Sequence, residues 1–146
     1  MNQNLLNDFI EALKTEHNAS DIESDPNEND GELRTHGTFK IKERKFSFIC
    51  FFSKESSFMS VEFPLKIDLT GKNKSAIKLY KAANSVNNTC PGMKCVIDKH
   101  TEKEVYLTFS SEITSSSLSD FSQLVDMLDV LPTGGMFFIN GLHQGD

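Results

Sequence analysis

The sequence predicts an α+β fold: an antiparallel five-stranded sheet with helices packed against it, in the order α-β-β-β-α-β-β-α. Three observations carry this. Apolar residues alternate with period two in five stretches between residues 33 and 109. Short polar turns join these stretches into a meander and a hairpin, which makes neighbouring strands antiparallel. Three other stretches repeat apolar residues at helical spacing, so each has one face to bury against a sheet.

Taken in order, residues 4–15 form an amphipathic helix, with Leu5, Leu6, Phe9, Ile10 and Leu13 on one face. That face either packs on the domain's own sheet or is offered to a partner. Residues 16–32, EHNASDIESDPNENDGE, contain seven acids and no base. They have almost no apolar side chains to offset the entropy of ordering, and are expected to be a mobile acidic loop. In LRTHGTFKI the residues Leu33, Thr35, Gly37, Phe39 and Ile41 share a strand face, and Lys42 to Lys45 make the turn. In FSFICFF, Phe46, Phe48, Cys50 and Phe52 face one way and Ile49 and Phe51 the other. Such a strand is expected to be central and covered on both faces. Met59, Val61, Phe63, Leu65 and Ile67 alternate in the third strand. There Pro64 cannot donate to a ladder, which places the strand at an edge or a bulge.

Asn73 is the expected N-cap of a helix over 74–87, with Ala76, Leu79, Tyr80, Ala83 and Val86 as its apolar stripe. Cys90-Pro91-Gly92 ends it. MKCVID and EVYLTF make a hairpin around Lys99 to Lys103. The serine-rich stretch Ser110 to Ser117 leads to a last helix over 118–131, capped by Ser117 and striped by Leu118, Phe121, Leu124, Val125, Leu128 and Leu131, with Pro132 as its stop. The tail holds an apolar knot, Met136 to Ile139, between glycines. No internal repeat or boundary divides residues 1–146, which read as a single domain. A chain of 146 residues is long enough to bury roughly 70% of its unfolded surface.

The net charge of −6 is unevenly spread. Residues 1–32 carry nine acids and one base, residues 33–103 carry fourteen bases and six acids, and residues 104–146 carry six acids and no base. The basic middle could meet phosphates. Single-strand stacking would also need exposed aromatics beside the lysines, and the phenylalanines sit in alternating core patterns. Nucleic acid is therefore disfavoured as a partner. The opening residues lack a basic start and are interrupted by Asp8 and Glu11, so no leader is expected. No stretch approaches the roughly 18 apolar residues of a membrane span. With three cysteines and no leader, reduced thiols and a cytoplasmic location are expected.

Candidate chemistry is sparse. Cys90 and Cys95, with His100 or His143, supply one close pair where zinc sites use two, so no metal is expected. DPNENDGE resembles a calcium loop. Counted from Asp25, though, position six is Asp30 where glycine is needed, and position twelve is His36 where an acid is needed. GxSxG, phosphate-loop and HExxH patterns are absent. The expectation is no catalytic residues and no cofactor.

The helix AIKLYKAANSVNN, the hairpin MKCVIDKHTEKEVYLTF and the helix LSDFSQLVDMLDVL, taken with the order of elements, resemble the type III secretion chaperone-like fold and its bacterial YbjN-like relatives. The likeness covers nearly the whole chain as topology and residues 73–131 as sequence. The helix of this family often ends in asparagines placed like Asn84 and Asn87. The resemblance implies a small cytoplasmic homodimer that holds an extended segment of another protein on hydrophobic patches, or an accessory, regulatory role.

Combined with the missing catalytic patterns and segregated charge, the expected function is non-catalytic protein binding, with Leu5, Phe9 and Leu13 as contact candidates. The alternatives are an immunity-type protein that covers a basic target with its acidic loop, and a small-ligand sensor or enzyme with a site between sheet and helices.

Overall fold

The fold is that of a computed structural model, which describes residues 2–72, 75–115 and 121–144. Along the chain lie α1 (Asn2–His17), β1 (Ser20–Ser24), β2 (Asn27–Asn29), β3 (Glu32–Ile41), β4 (Arg44–Phe52), β5 (Ser57–Asp68), α2 (Ala76–Thr89), β6 (Lys94–His100), β7 (Glu104–Ser115), α3 (Ser122–Met127), a 3-10 turn (Leu131–Thr133) and α4 (Gly134–His143). The strand order is β1-β3-β4-β5-β7-β6, with β2 also on β3. The ladders β1–β3, β2–β3, β3–β4, β4–β5 and β6–β7 are antiparallel. The α+β class and the antiparallel sheet are as expected. The count is not: the sheet has seven strands rather than five, and the element order changes with it.

The two extra strands come from the acidic stretch expected to be a loop. β1 and β2 lie on successive parts of β3, pairing Ser24 with Gly37 and Asn27 with Arg34. Every side chain in them is exposed except the half-buried Ile22. Backbone pairing to β3 therefore orders them, not burial. Asp30 (φ 50°) and Gly31 (φ 80°) make the two-residue β2–β3 turn, whose left-handed backbone suits this dipeptide.

The chain divides into two compact units, Met1–Glu62 with Glu112–Leu128 and Phe63–Ser111 with Asp129–Asp146. In the first unit β3 and β4 form a hairpin closed by Lys42 (φ 49°) and Glu43 (φ 64°). Its inner face buries Leu33, Phe39, Phe46, Phe48, Cys50 and Phe52, and β5 adds Met59 and Val61. Phe39 and Phe46 stack at 5.3 Å. Helix α1 lays Phe9 edge-on to Phe48, with ring centroids 5.4 Å apart, and the Phe121 ring closes on Phe9 at 5.7 Å. A methyl group on Gly37 would collide with the Phe48 ring and the Glu23 carbonyl, so the glycine lets β1 and this ring approach from two sides. The expected second cover on β4 is not found: Ile49 is 43% exposed and Phe51 half-buried.

In the second unit α2 starts two residues later than expected. Its N-cap is Ser75, whose Oγ accepts the Lys78 N–H at 3.3 Å. Asn73, Ser117 and Leu118 lie outside the described residues. Tyr80, expected in the buried stripe, is 56% exposed, while Leu79, Ala82, Ala83 and Val86 are buried.

The expected last helix over 118–131 is corrected: α3 covers only Ser122–Met127. Pro132 sits in the 3-10 turn, and the apolar tail is itself the helix α4. A Cβ on Gly134 would collide with the Phe109 ring, and one on Gly141 would lie 3.0 Å from Ala82 Cα. These glycines let α4 close onto β7 and α2.

Candidate binding surfaces

Of the three residues expected to contact a partner, Phe9 and Leu13 are fully buried. They are core side chains of the first unit. Leu5 is half-buried and keeps some accessible surface. The α1 face expected as a contact surface is spent on the protein's own interior.

The first unit has a bare sheet face instead. Strand alternation puts Arg34, His36, Thr38 and Lys40 of β3 on this face, with Lys45, Ser47, Ile49 and Phe51 of β4 and Phe58, Ser60 and Glu62 of β5; it is open over β3 and β4 and closes at β5, where Ser60 is buried. Register aligns them in rows: Arg34–Phe51–Phe58, His36–Ile49–Ser60 and Thr38–Ser47–Glu62. The Arg34 guanidinium lies 5.1 Å from the Phe51 ring centroid and also pairs with Glu32 at 3.3 Å. Lys40 meets Asp21 at 3.2 Å, and Ser47 donates to Glu62 at 3.3 Å. The result is a short apolar row between charged margins.

The second unit has an apolar groove of about 540 Å³, lined by Leu65, Ile67, Pro132, Met136 and Ile139. Lys66, Asp68, Lys72 and Asn140 rim it. Met136 is 59% exposed. This groove runs beside a strand edge. The β4–β5 ladder ends at Ser47 and Glu62, yet β5 continues to Asp68.

The Leu69 N–H donates to the Lys103 carbonyl at 2.8 Å, so odd residues of this half of β5 turn toward β7 and even ones turn away. Pro64 therefore presents its missing donor on the side without a ladder, and Lys66 presents both backbone groups there. The Asp68 carbonyl on that side accepts from Lys72 Nζ at 3.0 Å. β5 is thus not an edge strand, since it lies between β4 and β7 in the sheet order; Pro64 instead falls where its ladder with β4 has ended.

Reactive chemistry is muted. Cys50, Cys90 and Cys95 are free and buried. Burial pushes the Cys50 thiol up to about 12. Burial, with the Asp98 carboxylate adding to it, does the same for Cys95. The Cys90 thiol is also raised by burial. Such thiols stay protonated and make poor nucleophiles or metal ligands. Among the described residues no group of three or more His, Cys, Asp and Glu side chains is placed to hold a metal ion. No helix among them is long and apolar enough to cross a membrane.

The groove residues and Ile49 were missed as site candidates, though both stretches carried a signal. FSFICFF is apolar on both faces, and the tail is apolar beyond its expected stop.

The fold is similar to that of an uncharacterized protein from Methanothermobacter thermautotrophicus, with a TM-score of 0.60 and 10% identity over 94% of this chain and 96% of that one. It also aligns with YbjN from E. coli at a TM-score of 0.44 and 11% identity, over 92% and 89% of the two chains. No protein-family model and no curated protein matches the sequence. At 10% identity the first likeness shows a shared fold alone.

Proposed function

We propose that this chain is a non-catalytic protein-binding module that holds an extended segment of a partner. The observation that carries this is the apolar groove beside the ladder-free half of β5. A strand laid along Lys66 would find backbone groups to pair with, and its alternate side chains would drop toward Leu65, Met136 and Ile139. Backbone pairing supplies affinity and the pocket supplies selectivity. The bare face around Ile49 offers a second apolar contact of the kind that soluble proteins usually cover.

A second reading, an immunity-type cover for a basic target, is favoured by one observation. The acidic stretch is held on β3 as strands β1 and β2, and Glu28 of β2 and the flanking Asp25 and Asp30 are all exposed.

One experiment tests both. The tagged chain, its Met136→Lys variant and an Asp25→Asn/Glu28→Gln/Asp30→Asn variant are used to capture proteins from the cells that make it. A stoichiometric partner lost only with Met136→Lys supports the groove. Loss only with the neutralised strands supports the second reading, and capture of no partner by the wild-type chain overturns both.

A further inference from the structure

In the second unit, β6 ends the strand order and has a ladder on one side only, with β7. Its other side is not open along its whole length. The side-chain amide of Asn87, in the last turn of α2, accepts the Cys95 N–H at 2.6 Å and donates to the Cys95 carbonyl at 3.3 Å. One side chain thus makes both bonds that a neighbouring strand would make to that residue. The pairing leaves the amide no alternative orientation, since Cys95 presents one donor and one acceptor. Met93, the next outward position, already gives its N–H to the Cys90 carbonyl at 3.2 Å. Beyond Ile97 the register slips before Lys99.

The short edge between these points matches itself. In an antiparallel two-fold pairing centred on Val96, Cys95 of one strand lies opposite Ile97 of the other, and those residues exchange the ladder bonds. Val96, 39% exposed, then meets Val96. Exposed Lys94 meets exposed Asp98 twice, once on each side of the axis. Opposite charges directly across a strand pair favour this register, and a two-residue slip in either direction would separate both pairs. The Cys95 groups that the second strand needs are those occupied by Asn87.

We propose that the edge of β6 is a self-pairing surface for a second copy of this chain, held shut by the Asn87 amide. Isologous strand pairing is the common way an exposed edge meets its own copy, and proteins guard such edges. Here the guard is a side chain on the neighbouring helix, so small movements of the end of α2 open or close the edge.

The test is solution mass and cross-linking. Asn87→Ala is expected to raise the weight-average mass toward twice that of the wild type at equal concentration. Val96→Cys should form an intermolecular disulfide in the Asn87→Ala background and not with Asn87 intact. Adding Asp98→Lys should weaken the association roughly tenfold by setting lysine against Lys94, and Lys94→Asp with Asp98→Lys should restore it.

An Asn87→Ala protein that stays at single-chain mass and gives no cross-link at residue 96 overturns the proposal. Should Asn87→Ala fail to fold, Asn87→Asp carries the test: it keeps the acceptor for Cys95 N–H and loses the donor. Combined with Val96→Cys it must then cross-link more than Val96→Cys with Asn87 intact, and equal cross-linking overturns the proposal. This edge is distinct from the β5 groove, so Met136→Lys should leave all these outcomes unchanged.

Discussion

The two compact units solve the same problem, a helix laid on a sheet, in opposite ways. The first fills the space between layers with large rings. Five of its phenylalanines, Phe9, Phe39, Phe46, Phe48 and Phe52, are among the largest fully buried side chains. The second fully buries fewer rings, Phe109 and Phe138, and removes the space instead: Gly134, Gly135 and Gly141 bring α4 down onto Phe109, Leu65 and Ala82. Charge divides the same way. The first unit carries fifteen acids and seven bases, or −8, and the second six acids and eight bases, or +2. The contrast teaches that close packing can be reached by volume or by approach. Each route has its own weakness, the first to lost atoms and the second to added ones.

The largest expected effect comes from taking atoms out of the first unit. Phe9→Ala leaves a hole between Phe48 and Phe121 and should cost about 3–5 kcal/mol, read from the shift in urea midpoint. Adding one carbon to the second unit comes next. Gly134→Ala drives a methyl group into the Phe109 ring and should cost about 1–3 kcal/mol. The comparison breaks if Gly134→Ala is neutral, because the close approach of α4 would then not depend on glycine.

The smallest effect sharpens the contrast through pH. Cys50 is raised from 9.0 to about 12 in the folded chain. Both states are protonated below pH 9, so stability there does not depend on this thiol. As pH rises toward 12 the unfolded thiol ionises first and stability falls. At pH 10 the loss from this thiol should be about 1.4 kcal/mol relative to pH 8. Cys50→Ala should remove that share and leave the loss due to Cys95, whose thiol is raised likewise, measured by denaturant unfolding at the two pH values.

The β3–β4–β5 meander was legible because each strand alternates and buries one face. Its turn narrowed to Lys42 and Glu43, a detail that composition alone does not carry. β1 and β2 were not legible, since alternation is written by burial and these strands bury no more than part of Ile22. Asp30-Gly31 was the available signal, but it lacked apolar flanks.

The helix over 118–131 overran because Leu124, Leu128 and Leu131 keep helical spacing while the backbone breaks beneath them, and all three stay buried. Conversely α4 was hidden by Pro132 and three glycines, which read as breakers. Here they serve a 3-10 entry and close packing. For the binding site the limit is different in kind. An apolar stripe such as Leu5, Phe9 and Leu13 looks the same whether it meets the chain's own sheet or another protein. Ile49 and Met136 could be told apart from core residues only once their neighbours were placed.

The order in which the units are threaded has a kinetic consequence. Neither is continuous in sequence: β5 leaves the first unit, the chain builds most of the second, and the closing segment 112–128 then returns to the first. Phe9 and Phe121, which meet in the interior, come from near opposite ends. As the chain is synthesised, the β3–β4 hairpin can form from local contacts. The ring of Phe9 waits for its last neighbour until β7 has been made. Long loops closed late slow the search for the native state. During that wait the phenylalanine face of the hairpin is the surface on which a nascent chain would be caught by a chaperone or by another copy of itself.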